Sequence, residues 1–189
     1  MGKDVNLDSL AIHEASHFIV YLLNCKEERK QPRVYELSLF PKDNKSDAYI
    51  MIKHDSSPNW TLHFLNSDLP HELKDEYRAN ILREIKYLLA GIAGETQQNQ
   101  TQDYKKVLTT FYRSEKKDSN SDLSKAILYN TAIGEQKQKE GALPLLNSLK
   151  GAVLDVSTHW DKVIHVAQLL QSKRAISGDD LKRLVELYS

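Results

Sequence analysis

The chain has 189 residues, 40% of them hydrophobic and 28% charged, with 26 basic residues against 26 acidic ones. That length suits one domain with a buried core, and that composition an ordinary globular protein. The balanced charge excludes the basic footprint of a nucleic-acid binder. Cys25 is the single cysteine, so no intrachain disulfide and no zinc site built on two cysteines can form, and a reducing, cytoplasmic setting is expected.

Residues 7–24 carry helical periodicity, with Leu7, Leu10, Ala11, Phe18 and Leu22 on recurring turns. KEERKQP breaks the pattern. VYELSLF alternates, Tyr35, Leu37 and Leu39 against Glu36 and Ser38, which predicts a strand. The turn-rich PKDNKSD and the strand candidate AYIMIK make this a hairpin. HDSSPNWTLHFLNSD has no period and reads as an ordered loop. Pro70 suits the first position of a long helix whose apolar stripe runs through Leu73, Tyr77, Ile81, Ile85, Leu88, Leu89 and Ile92. QQNQTQ ends it, TQDYKKVLTTFY is a short helix, and the polar SEKKDSNS supplies capping residues for a helix over SDLSKAILYNTAI.

Gly141 and Pro144 punctuate the chain before one more stripe, from Leu145 to Leu170, that reads as a single long helix with a kink. Ser177 and Asp180 resemble a capping box opening a last helix. The whole is a mainly α fold with a small β hairpin or sheet, a single domain over 1–189. Its first part, about 1–100, holds the first helix, the hairpin and the long helix; the rest, about 101–189, is helical. FIVYLL and YLLAGIA fall well short of the roughly 20 apolar residues that span a bilayer, so no membrane segment is expected.

The first helix contains HEASH, residues 13–17. Residues four apart share a helix face, so His13 and His17 can point their imidazoles at one cation. Glu14 lies roughly 100° further round, where its carboxylate can reach a water on that cation. Zinc accepts imidazole ligands, keeps a position for water and lowers that water's pKa, and a neighbouring carboxylate can take the proton. The competing reading is a buried helix with two hydrogen-bonded histidines, although burying two imidazoles and a carboxylate unpaired is costly. A zinc site usually has a third protein ligand. None of His54, His63, His71, His159 and His165 continues the motif, because FIVYLL follows it, so a distant carboxylate is expected.

HEASH resembles the H-E-A-G-H of the FtsH-type zinc metalloproteases. RVYELSLFPKD resembles the strand after their active-site helix, YLLAGIAGE their L-L-A-G-R-A-A-E helix, SNSDLSKA their N-D-L-x-x-A segment, and HVAQLLQSKRAISGDDLKRLV their C-terminal motif, all in the same order. The resemblance implies an FtsH-peptidase-like helical domain with His13 and His17 as zinc ligands and Glu14 as general base. It also implies Asp122 as third ligand, a residue that by itself reads as a cap or helix-dipole group beside Ser119 and Ser121. Glu95 is the rival, either as ligand or as a residue orienting a ligating histidine. Departures are Ser16 for the family's glycine, Ile92 and Gly94 for its Arg and Ala, and the lack of the F-G-x-x-T-x-G-A approach to the aspartate. The Glu95 to Asp122 interval is also longer, which reads as an insertion within 98–118. The chain carries no G-x-x-x-x-G-K-[ST] nucleotide loop and no membrane segment.

The expectation is therefore a zinc-dependent metallopeptidase hydrolysing flexible or unfolded polypeptides, with a separate ATPase or a homo-oligomer as partner. The alternative is a zinc- or peptide-binding module that kept the fold without turnover. A third reading is a helical interaction domain in which HEASH is structural.

Overall fold

Most helices of a globular protein bury one stripe, but the first helix here is apolar almost all round, and such a helix belongs at the centre. In the computed structural model, which describes residues 8–39, 49–52, 71–115, 121–134 and 143–189, α1 (Ser9–Glu27) occupies that place. Ala11, Ile12 and all residues from Glu14 to Val20 are buried. Asp8 caps the helix by accepting from the Leu10 amide at 3.0 Å.

The helices that follow are α2 (His71–Leu88), α3 (Ala90–Gln98), α4 (Tyr104–Glu115), α5 (Asp122–Gly134), α6 (Leu143–Thr158), α7 (Trp160–Lys173) and α8 (Gly178–Tyr188); α2, α3, α6, α7 and α8 pack on α1, and α5 packs mainly on α2 and α6, with α4 on α5 and α6. Their buried faces merge into one hydrophobic core that reaches from Ala11 to Leu184. The protein is thus mainly helical with a small antiparallel sheet. Among the described residues no helix is long and apolar enough to cross a membrane. Leu7, residues 40–48, the loop read over 54–68, Pro70, the 116–120 part of the polar linker and Gly141 lie outside the described residues.

One expected long helix is divided, and the second bends as expected. The stripe from Leu73 to Ile92 bends at Leu89 (φ −89°, ψ −1°), although hydrogen bonds run through the bend, from Leu89 N to Ile85 O and from Ala93 N to Leu89 O. The stripe from Leu145 to Leu170 bends at His159 (φ −114°, ψ 28°). There both the amide and Nδ1 of His159 donate to the Asp155 carbonyl, at 3.1 and 2.9 Å, so main chain and side chain share one acceptor at the bend. The interval after Glu95 contains α4, whose start is capped by Asp103 accepting from the Lys106 amide. Ser121 caps α5 in the same way, accepting from the Ser124 amide at 3.2 Å.

The hairpin is present but gains a strand. β1 (Val34–Ser38) lies between β2 (Tyr49–Ile52) and β3 (Ala175–Ser177), antiparallel to both. Leu37 and Leu39 are buried as their alternation predicts, but Tyr35 is 53% exposed and Ser38 is buried. The pairing with β2 slips between Val34 and Glu36, and such a bulge shifts the alternation of a strand by one residue. β3 also corrects the capping-box reading. Ser177 pairs with Glu36 and makes no side-chain cap, while Asp180 meets Lys173 Nζ at 2.5 Å. Arg174, left-handed at φ 65°, turns the chain from α7 into β3.

Two glycines bring α3 against α1. A Cβ at Gly94 would lie 2.1 Å from Ser16 Oγ and 3.0 Å from Ser16 Cβ, and that hydroxyl is already fixed by donating to the Ile12 carbonyl at 2.7 Å. Gly94→Ala is therefore expected to destabilise the fold by about 1–3 kcal/mol, as overpacking does. Adding Ser16→Gly to Gly94→Ala should restore most of that loss, leaving only the Ile12 methyl at 3.2 Å to adjust. Urea unfolding of the wild type, both single variants and the double variant measures the coupling; purely additive losses would contradict this contact.

Candidate metal centre

The helical spacing that placed His13 and His17 on one face now acquires surroundings. The vacant Cβ position of Gly91 lies 2.1 Å from His13 Nε2 and 2.3 Å from both Cδ2 and Cε1. Such near-equal distances put it over the ring face, so the imidazole lies flat on the glycine where any larger residue would displace it. One turn on, Glu95 Oε1 accepts from His13 Nδ1 at 2.8 Å. His17 Nδ1 donates to the Tyr87 carbonyl at the end of α2, at 2.9 Å.

These two hydrogen bonds fix the chemistry of the other nitrogens. A carboxylate and a carbonyl can only accept, so each Nδ1 carries a proton, and either ring in its neutral form presents the Nε2 lone pair. The two Nε2 atoms stand 3.1 Å apart, and Asp122 Oδ2 lies 3.2 Å from that of His17. The three ligand atoms all fall within 4.8 Å of one another, in the one such His/Cys/Asp/Glu group among the described residues. A tetrahedral zinc with bonds of about 2.0–2.1 Å sets neighbouring ligand atoms roughly 3.3 Å apart. The two short edges match that spacing, and the donor set of two imidazoles and a carboxylate fits a divalent cation. Facing lone pairs otherwise repel, so this point calls for a positive occupant, either a metal or a proton on His17 Nε2 shared with Asp122.

Asp122 opens α5, and the packing of Leu123, Ala126, Tyr129 and Ile133 in the core holds that helix end in place. Its second oxygen, Oδ1, faces Lys125 Nζ at 3.5 Å. Desolvation pushes the Asp122 carboxyl up, but the hydrogen bond and charge of His17, with Lys125 and His13 beyond, outweigh it and hold the group at about 2. Glu14 behaves oppositely. Its side chain is buried, and desolvation, partly offset by His13 and reinforced by Asp122, raises it from 4.5 to about 7. Tyr87 packs its ring edge-on to that of His17, with centroids 5.1 Å apart. Burial, with Asp122, Glu84, Glu14 and Tyr21 around it, pushes the Tyr87 phenol well above its ordinary value.

The structure thus brings His13, His17 and Asp122 together and sets Glu95 behind His13 rather than among the ligand atoms. His159 is occupied with Asp155, and His165 with the Tyr188 hydroxyl. His54 and His63, and the side chain of His71, lie outside the described residues. The Gly91 contact and the Tyr87 carbonyl were not anticipated; two glycines three apart in an apolar helix were the signal for the first. No protein-family model matches the chain, and no curated protein matches it.

The Glu14 shift has a definite sign. A carboxyl raised on folding contributes stability that is complete below its unfolded value of 4.5 and is lost as pH rises through about 7. Chelator-treated Glu14→Gln should therefore gain on the wild type between pH 4.5 and 8, by at most about 3 kcal/mol. Asp122, held low, acts in reverse: its contribution is lost as pH falls from 3.8 through about 2. Urea unfolding of both proteins at pH 4, 6 and 8 checks this; a gap independent of pH would contradict the burial of a titrating Glu14.

Proposed function

We propose that the protein is a zinc metallopeptidase in which His13, His17 and Asp122 hold the metal and Glu14 is the general base. The observation that carries this reading is the convergence of two Nε2 lone pairs and a carboxylate oxygen at one point beside a buried glutamate. Zinc, when bound, supplies the Lewis acidity that polarises a peptide carbonyl and makes water a nucleophile near neutral pH. Glu14, one residue after the first ligand, takes the proton of the attacking water and passes it to the leaving amine. Its burial one residue from His13 keeps the carboxylate inside the site, where it can meet that water. Glu95 keeps His13 in the tautomer that presents Nε2, and the Tyr87 carbonyl does the same for His17. The order of HEASH, YLLAGIAGE and SDLSKA along the chain, resembling the FtsH-type peptidases, supports the same assignment.

Metal analysis and an activity comparison test it together. One equivalent of zinc per chain is expected. Asp122→Ala should lower its retention far more than Asp103→Ala, because Asp103 serves only as the α4 cap. Glu14→Gln should keep the zinc and lose at least about a hundredfold in hydrolysis. Iron in place of zinc would overturn the metal assignment, since two histidines and one carboxylate also serve that ion. Zinc retained without turnover in the wild type would establish the non-catalytic binding module instead.

Substrate class follows from what the attack requires. The scissile carbonyl must approach the metal within bonding distance, which needs an extended, locally unpaired backbone. Folded domains keep their backbone in hydrogen-bonded elements and open rarely. No nucleotide loop lies within these 189 residues, so unfolding comes from an ATPase outside them or from the substrate's own disorder. A casein-like chain is expected to be cut and a stable globular domain spared, with no response to ATP. ATP-stimulated degradation of the globular domain by the purified chain would contradict this.

A further inference from the structure

We propose that the Tyr87 ring is a positioning element of the metal centre, fixing the orientation of the His17 imidazole. The inference rests on reading His13, His17 and Asp122 as metal ligands. A hydrogen bond from Nδ1 to a carbonyl settles the tautomer and the distance, but it leaves the ring free to rock about the Nδ1 to oxygen line. Imidazole χ2 has only broad wells to resist that motion. The missing restraint must come from what touches the ring faces and edges.

Two rings supply it. The His13 ring lies 4.9 Å from that of His17, centroid to centroid and tilted 56°, and the Tyr87 ring 5.1 Å from it at 61°. His13 cannot act as the anchor, because it is a proposed ligand whose own position must be fixed. Tyr87 belongs to the scaffold: it sits on α2, and Tyr21, a turn beyond His17 on α1, backs its ring at 6.4 Å and 68°. Tyr21 is itself tied down, its hydroxyl accepting from the Arg33 amide at 2.9 Å just before β1. The order His13, His17, Tyr87, Tyr21 is therefore a ladder of rings leading from the candidate centre to the sheet. One residue holds His17 twice, by its backbone carbonyl and by its side chain. Because the side chain can be changed while the carbonyl stays, the two restraints are separable.

The experiment uses the full chain, with cobalt(II) in place of zinc as a spectroscopic probe. Tyr87→Phe keeps the ring and removes the hydroxyl; Tyr87→Leu removes the ring and keeps the carbonyl. Tyr87→Phe should retain the wild-type cobalt d–d spectrum and an affinity within about twofold. Tyr87→Leu should alter the spectrum and weaken cobalt and zinc binding by roughly 10–100-fold, as loss of an outer-shell partner does. Circular dichroism of the metal-free variants separates this from unfolding, and if Tyr87→Leu does not fold, Tyr87→Met is read in its place. An unchanged spectrum and affinity in the folded ring-free variant would overturn the proposal while leaving the metal centre standing. Equal losses in Tyr87→Phe and the ring-free variant would also overturn it, assigning the effect to the hydroxyl. A wild-type chain that binds neither cobalt nor zinc would overturn this proposal and the metallopeptidase reading together.

Discussion

The closeness of α1 and α3 is the constraint on which the rest of the site depends. Gly91 takes the face of the His13 ring and Gly94 takes the Ser16 hydroxyl, so the helices meet almost backbone to side chain. That approach puts Glu95, one turn past Gly91, within hydrogen-bonding distance of His13 Nδ1. Were α3 held off by one methyl layer, the His13 to Glu95 bond would break and the imidazole would be free to take either tautomer. Glycine in a helix interior costs about 1 kcal/mol relative to alanine. Two of them within nine residues of α3 are locally unfavourable, and the contact they permit is the offsetting gain.

A second tension lies within α1. The helix sits in the core, yet it carries Glu14, Ser16 and His17 at buried positions and His13 at a partly buried one. Three of these polar groups have partners that remove the penalty: the Ile12 carbonyl for Ser16, Glu95 for His13, and the Tyr87 carbonyl for His17. Glu14 is treated differently, since its burial appears as a carboxyl raised to about 7 rather than as a paired anion. Of these four side chains Glu14 is the one whose burial shows as a shifted carboxyl, and such groups cluster at functional sites.

How much of this was legible depended on whether the cause was local. The i, i+4 histidines, the α5 cap at Ser121 and the apolar stripes are periodic or adjacent signals, and they gave the helices and two of the candidate ligands. Asp122 had no local mark distinguishing it from an ordinary first-turn acid; only its place in an ordered set of motifs singled it out. Two features had no readable signal, and a third, the kink expected in the second long stripe, had no readable position. β3 is three residues long, too short for alternation, and exists because β1 offers it an edge. The kink falls at His159, whose side chain shares the Asp155 carbonyl with its own amide, a detail that periodicity does not report. The Tyr87 partner of His17 is a backbone oxygen, which any residue type could have supplied.

The three ligand atoms are mounted on two elements with separate supports. His13 and His17 come from α1, fixed by α3 and the end of α2, whereas Asp122 rides on the first turn of α5, far along the chain. A cation held by all three would link α1 to α5 across that interval, and a ligand that binds only the assembled site stabilises the folded state by mass action. The same link runs backwards. The position of Oδ2 depends on how α5 packs through Leu123, Ala126 and Tyr129, so changes in that distant core surface would alter the affinity for a cation held there without touching any of the three residues. Tyr87 adjoins both sides of this arrangement, its ring on His17 and its phenol within the field of Asp122. The candidate centre is therefore a product of tertiary packing, with the HEASH helix supplying two fixed donors and the remainder of the fold delivering the third.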